Sequence, residues 1–91
     1  MAEGGLRIKL RYCVRWNYMQ RAVWTAAELL GGFQEHVEAF DLEMGGSGDF
    51  ELNIDGELVY SKRATGEYPD LKVLKLAVAD AVDARAAVSG D

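Results

Sequence analysis

The feature that most limits the fold of this chain is a strict alternation of side-chain type near its start. From position 6 to position 12 apolar and basic residues take turns, in the order Leu6, Arg7, Ile8, Lys9, Leu10, Arg11 and Tyr12. A period of two indicates a β-strand with one buried face and one face in water. Helices elsewhere in the chain should then cover the apolar face alone, which predicts a two-layer domain.

A helix is predicted directly after this strand. The stretch from Trp16 to Leu30 contains neither Gly nor Pro, and its apolar residues fall on one broad arc: Tyr18, Met19, Ala22, Val23, Ala26, Leu29 and Leu30. This pattern is typical of an amphipathic helix, and we expect the pair Gly31–Gly32 to end it. Trp24 falls in the polar stripe of the same helix.

Three further strands and a second helix complete the pattern. Residues 35–44 predict a second strand. Its apolar residues fall first on one set of alternate positions and then on the other, so a bulge is needed to bring them to the same face. After a glycine-rich loop at 45–48, Phe50–Ile54 and Leu58–Ser61 predict a hairpin with a type I′ turn at Asp55–Gly56. A polar connector follows, and residues 70–87 predict a helix with Asp70 at its N-terminus.

The order is therefore strand, helix, strand, strand, strand, helix. The helix between the first two strands makes those strands parallel, with a right-handed crossover. We expect one α/β domain of the α+β two-layer kind over residues 1–91, with a four-stranded mixed sheet and two helices on one face. Its core spans about residues 6–87, between flexible termini.

Composition excludes several classes of function. The formal net charge is −5, from 10 Lys and Arg residues against 15 Asp and Glu residues, whereas nucleic-acid binders concentrate positive charge. The basic residues of the first strand, with Arg15, are therefore interpreted as a solvated face. One Cys and one His preclude an internal disulfide and a Cys/His zinc site, so we predict no metal. His36 is interpreted as a strand residue.

Targeting and membrane segments are also not predicted. The start of the chain resembles no secretory signal, and no apolar run approaches the roughly 20 residues that span a bilayer. We therefore expect a cytoplasmic protein that acts on neither a membrane nor nucleic acid.

Several short motifs together resemble one protein family. Tyr12-Cys13 ends a strand directly before a helix, where thioredoxin-like proteins carry their active-site loop. Further matches follow in order: Phe50-Glu51-Leu52, Asp55-Gly56-Glu57-Leu58, Ser61-Lys62-Arg63, Gly66-Glu67-Tyr68-Pro69-Asp70, and Lys72 with Leu74-Lys75. In this combination the chain resembles the selenoprotein W-like, or Rdx, family over roughly Leu6 to Asp83.

The resemblance implies a thioredoxin-like fold and a thiol oxidoreductase role in cell redox homeostasis. Cys13 matches the first residue of the family's Cys-x-x-Cys or Cys-x-x-selenocysteine motif, which makes it the candidate catalytic residue. Val14, Arg15 and Trp16 are its neighbours in the redox loop. Trp16 stands where the second redox residue belongs, so an oxidoreductase of this type would lack its resolving cysteine.

Two hypotheses about function follow. In the first, Cys13 acts alone in thiol–disulfide exchange, glutathionylation or oxidant sensing, and the adjacent helix N-terminus stabilises its thiolate. Glutathione or another low-molecular-weight thiol is then a co-substrate, and no resident cofactor is needed. In the second, Cys13 is an inert remnant and the domain binds a protein partner. That partner surface includes Trp16 and Trp24, with Ser47 and Gly48 of the glycine-rich loop.

Overall fold

The computed structural model describes residues 5–15 and 18–89, with side chains as far as residue 86. Within these residues the strands are β1 (Leu6–Cys13), β2 (Val37–Gly45), β3 (Phe50–Ile54) and β4 (Glu57–Ser61). The helices are α1 (Tyr18–Phe33), the short α2 (Lys62–Thr65) and α3 (Leu71–Ser89). A 3-10 turn at Gln34–His36 joins α1 to β2.

The sheet has the predicted parallel pair of β1 and β2 and the predicted hairpin of β3 and β4. Its strand order is β2-β1-β3-β4, with β1 parallel to β2, antiparallel to β3, and β3 antiparallel to β4. The apolar face of β1 lies in the core together with residues of β3, α1 and α3: Leu6, Ile8, Leu10, Tyr12, Ala22, Leu29, Phe50, Leu52, Ile54, Leu74 and Val78. The two long helices thus cover one face of a four-stranded mixed sheet, and α2 is an addition to the predicted order.

The predicted turn, cap and bulge are present. Asp55 and Gly56 have φ values of 53° and 85°, and a type I′ turn requires positive φ at both positions. Asp70 caps α3, because its Oδ1 accepts a hydrogen bond from the backbone N–H of Lys72 at 3.1 Å. In the β1–β2 register Leu6 is paired with Val37 and Arg7 with Ala39. Glu38 is therefore the extra residue of a bulge.

The end of α1 differs from the prediction. The helix continues through Gly31–Gly32 to Phe33, because neither glycine adopts the positive φ of a helix C-cap. Continuing the helix brings Phe33 against the core, a long-range contact that local pattern does not reveal. As a result His36 lies in the 3-10 turn and not in a strand.

The buried stripe of α1 is also narrower than predicted. It consists of Ala22, Thr25, Ala26 and Leu29, whereas Met19 and Val23 are 55% and 49% exposed. Since β2 is the edge of the sheet, no further strand within the described part of the chain covers this flank of the helix.

The open face of the sheet pairs its basic residues with acids of β2. Arg7 Nη1 lies 2.7 Å from Glu38 Oε2, and Glu43 contacts both Arg11 Nη1 at 3.1 Å and Lys9 Nζ at 3.9 Å. The basic face of β1 is thus matched by carboxylates within the sheet itself. Among the described residues, no helix is both long and apolar enough to cross a membrane.

Candidate functional site

Cys13 is the last residue of β1 and has no exposed surface. Its backbone N–H donates to the carbonyl oxygen of Asp49 at 2.9 Å. Its Sγ accepts a hydrogen bond from the backbone N–H of Arg15 at 3.4 Å. Among the described residues, the donor to the sulfur therefore belongs to the turn after β1.

Asp49 holds the segments that surround the cysteine. Its Oδ2 accepts hydrogen bonds from Arg11 Nε at 3.1 Å and from the backbone N–H of Gly46 at 2.8 Å, and its Oδ1 accepts one from Arg63 Nη2. The side chain is only 7% exposed. This one carboxylate thus ties β1, the glycine-rich loop and α2 together.

The charge of Asp49 is strongly favoured in this position. The hydrogen bond from Arg63 is the largest effect and lowers the pKa of Asp49 to about 2, against a smaller opposing effect of burial. The Gly46 N–H and Arg11 lower the pKa of Asp49 further. Donors aimed at a carboxylate stabilise its ionised form, so Asp49 is an anion at neutral pH.

Gly45 is required for the close approach of Asp49 to β1. It pairs with Cys13 in the β1–β2 ladder. A Cβ at this position would lie 2.7 Å from Asp49 Oδ2 and 2.8 Å from Arg11 Cγ. Any side chain here would therefore collide with the ion pair beside the cysteine.

An aromatic cluster centred on Tyr68 lies near the thiol. The Tyr68 ring packs against Tyr18 at a centroid distance of 4.9 Å and against Phe50 at 5.3 Å. Arg21 and Lys62 lie 4.5 Å and 5.0 Å from the centre of the ring, in cation–π geometry. Burial is the main cause of the raised pKa of Tyr68, followed by interactions with Tyr18, and a smaller electrostatic effect of Cys13 raises that pKa further.

The structure places the predicted redox loop only in part. Val14 is 54% exposed and Arg15 is exposed as well, so the buried Cys13 is followed at once by two residues at the surface. Trp16, the predicted replacement for the second redox residue, lies outside the described residues.

The predicted partner surface is not assembled by any described contact. Trp24 is 54% exposed on α1. Ser47 and Gly48 form the turn of the glycine-rich loop, where Gly48 has a φ of 81°. No hydrogen bond or ring contact among the described residues joins Trp24 to this loop, whereas Asp49 joins the loop to Cys13.

Sequence reasoning missed Asp49, Arg63 and Tyr68. Asp49 stands alone between a glycine and a strand, and Arg63 and Tyr68 lie in the stretch interpreted as a polar connector. The usable signals were the aromatic residue in an otherwise polar stretch and the place of Arg63 and Tyr68 in the motifs that carry the family resemblance. Cys13 is a free cysteine, and the described residues contain no group of three or more His, Cys, Asp or Glu side chains that could hold a metal ion.

Known structures share this architecture. A selenoprotein W-related protein from Vibrio cholerae superimposes with a TM-score of 0.81 at 33% identity, covering 86% of this chain and 98% of that chain. A protein from Bordetella parapertussis gives a TM-score of 0.79 at 33% identity, covering 84% and 96% of the two chains. The fold is the thioredoxin-like α+β fold of selenoprotein W-like proteins.

Two curated mammalian proteins, both named migration and invasion enhancer 1, are similar in sequence. The Bos taurus protein is 34% identical over 67 residues, which is 71% of this chain and 55% of the relative. The Mus musculus protein is 33% identical over 79 residues, which is 85% of this chain and 65% of the relative. The chain thus spans 55% to 65% of the length of these relatives. Residues 7–80 match the Rdx family, and the chain therefore belongs to that family.

Proposed function

We propose that this domain is a thiol redox protein that exchanges disulfides through Cys13 alone, with glutathione or a similar small thiol as co-substrate. The observation that supports the proposal is the position of Cys13 at the end of β1 in an Rdx fold, with its Sγ accepting the Arg15 N–H. The thiolate is the form that attacks disulfides.

The proposed cycle needs no second cysteine. The Cys13 thiolate attacks the glutathione sulfur of a mixed disulfide, forms a new S–S bond, and releases the substrate as a thiolate that takes a proton from water. A glutathione thiolate then attacks the glutathione sulfur bound to Cys13. This step yields glutathione disulfide and restores the Cys13 thiolate, so glutathione supplies both electrons that reduce the substrate.

Burial sets a condition on this chemistry. Because Cys13 has no exposed surface, a disulfide can reach its sulfur only after the structure around it opens, and the adjacent turn at Val14 and Arg15 is where we propose that it opens. Both of these residues are exposed, and local opening of such turns costs far less than global unfolding. We propose the cytoplasm as the setting and redox homeostasis as the role, since thiols are kept reduced there.

The test is adduct formation in the native protein. Reduced protein is incubated with glutathione disulfide and measured by intact mass. We expect one glutathione per chain, its removal by excess reductant, and no adduct on a Cys13→Ser variant. Coupled reduction of a glutathionylated peptide should likewise require Cys13. An adduct that forms only in urea would contradict the proposal.

Protein binding through Trp24 is the second candidate function. The observation in its favour is the 54% exposure of this large aromatic side chain, because tryptophan is enriched among residues that dominate binding energy. Binding of this kind should survive Cys13→Ser and be lost on Trp24→Ala. Leu76→Ala, at a 59% exposed position of α3, is the matched control and should retain binding.

A further inference from the structure

β2 is an unprotected edge of the sheet. Because it neighbours only β1, one row of its backbone N–H and C=O groups faces away from the sheet without a partner strand in the described part of the chain. The strand has 9 residues and contains neither Pro nor Lys, two residues that often block such edges. After the bulge at Glu38 its register is regular through Gly45.

An apolar patch borders this edge on the helix side. Leu42 and Met44 pair with the buried residues Leu10 and Tyr12, so they point to the helix-covered face. They are nevertheless 40% and 72% exposed, so the described helices leave much of both side chains uncovered.

The exposed flank of α1 continues the patch. Arg21 lies over Tyr68, and Glu28 Oε1 lies 3.7 Å from Lys75 Nζ of α3, so this flank of α1 faces α3. Helical spacing places Met19 and Val23 on the opposite flank, toward β2, on which α1 also packs. We call Met19, Val23, Leu42 and Met44 the edge patch.

The other face of the same edge is acidic. Asp41 and Glu43 pair with Lys9 and Arg11, and they therefore point to the open face of the sheet. Glu43 is shared between those two cations, whereas Asp41 is exposed and forms no ion pair among the described residues. An added strand would thus meet apolar side chains on one face and carboxylates on the other.

We propose that the β2 edge binds an extended segment of a partner protein in which apolar and basic residues alternate. The segment would add a fifth strand to the sheet, so that backbone hydrogen bonds provide affinity and alternate side chains provide selectivity. β1 already has this alternation and pairs with the inner edge of β2. The outer edge presents the same two faces.

A second copy of this chain is a poorer occupant of the edge. If two β2 strands paired antiparallel with their apolar faces matched, Asp41 and Glu43 of one copy would face the same acidic residues of the other. Like charges directly opposite each other destabilise a strand pair, and the net charge of −5 opposes association further. Basic residues in the partner strand remove this repulsion.

The probe for the test is a labelled peptide with the sequence LRIKLR, which is that of residues 6–11. We expect it to bind the full chain, with NMR amide shifts confined to β2 and to the Met19 and Val23 region of α1. The peptide LEIELE should bind about tenfold more weakly or not at all, because its acidic residues would repel Asp41 and Glu43 where the basic residues of LRIKLR attract them. Two further versions of LRIKLR carry methyl groups on alternate backbone nitrogens, one version on the odd positions and the other on the even positions. Only one of the two should lose binding.

Three variants complete the test. Met44→Lys should weaken binding of LRIKLR, and Asp41→Lys should transfer the preference toward LEIELE. Leu76→Lys, at an exposed apolar position on α3, should leave binding unchanged. Circular dichroism checks that each variant is folded.

Other outcomes would overturn the proposal: equal binding of the two peptides, shifts on another surface, or sedimentation showing self-association through β2. Cys13→Ser should bind LRIKLR like the unmodified chain, so failure of the redox proposal would not affect this result.

Discussion

Replacing Asp49 with asparagine removes the negative charge from the side chain that holds β1, the glycine-rich loop and α2 together. The amide keeps the size and one acceptor oxygen of the carboxylate, so the change tests the charge and not the packing. It leaves Arg11 and Arg63 without their shared anion. We expect the variant to fold and to be less stable at neutral pH.

The magnitude follows from the pKa of Asp49. That pKa is about 2 in the folded chain, against 3.8 for an ordinary aspartate, and each unit of difference is worth about 1.36 kcal/mol. The ionised carboxylate therefore contributes at most about 2 kcal/mol to the free energy of unfolding. Both arginine partners are exposed, and screening of their charges reduces the expected loss to about 1–2 kcal/mol.

The sign of the pH dependence is fixed by the direction of this shift. A carboxyl group with a lowered pKa in the folded state stabilises that state fully above its unfolded pKa. The stabilisation is lost as the pH falls from about 4 toward about 2, because the unfolded chain then binds the proton first. The stability gap between the parent chain and Asp49→Asn should therefore be largest at neutral pH and should shrink across this acidic range.

Urea denaturation followed by circular dichroism measures the gap, since urea adds no ions that screen the charges. Asp41→Asn is the matched control, because Asp41 is an exposed acid on the same face of the sheet. It should change stability by less than about 0.5 kcal/mol at any pH. A gap for Asp49→Asn that is the same at neutral pH and near pH 2 would refute the electrostatic reasoning.

Three more predictions concern the same region. Gly45→Ala should lower stability by about 1–3 kcal/mol because its Cβ meets Asp49. Gly46→Ala, whose Cβ would lie 3.7 Å from Asp49 Oδ2, should be nearly neutral. Equal losses of stability for the two variants in urea titrations would contradict this. Tyr68→Phe should retain the ring contacts, and its free energy of unfolding should stay within about 1 kcal/mol of that of the parent chain. Tyr68→Ala should lose about 2 kcal/mol or more of stability. Thermal melts that show Tyr68→Ala to be the more stable variant would contradict the role of ring packing. Alkylation of Cys13, followed by intact mass, should be at least about tenfold slower in native buffer than in urea because a closed turn shields the thiol; equal rates would show that the thiol is already accessible.

Much of the fold could be predicted because its signals are local. The alternation in β1, the Asp55–Gly56 turn and the Asp70 cap each depend on residues within a few positions of one another. The end of α1 could not be predicted, because Phe33 extends the helix through its contact with a distant core. The exposure of Met19 likewise depends on which strand forms the sheet edge, and composition says nothing about that.

Of the residues that surround the thiol in the structure, the sequence singled out only Cys13 itself. Its position at the end of an alternating strand, before a helix, matched a family pattern. Asp49 contacts Arg11, which is 38 positions away in the sequence, and Arg63, which is 14 positions away. With many acids and bases in the chain, spacing alone does not select this set.

The central position of β1 has a consequence for synthesis of the chain. This strand is made first, yet it pairs with β2 and β3, so the sheet closes only after the ribosome has released residues as far as Ile54. Pairing of this kind between distant segments is slow relative to local structure. Cys13 is therefore open to its surroundings in the nascent chain and is enclosed only when translation is well advanced. If another group reacted with the thiol in that interval, the folded protein would have to accommodate that group at a position that has no exposed surface.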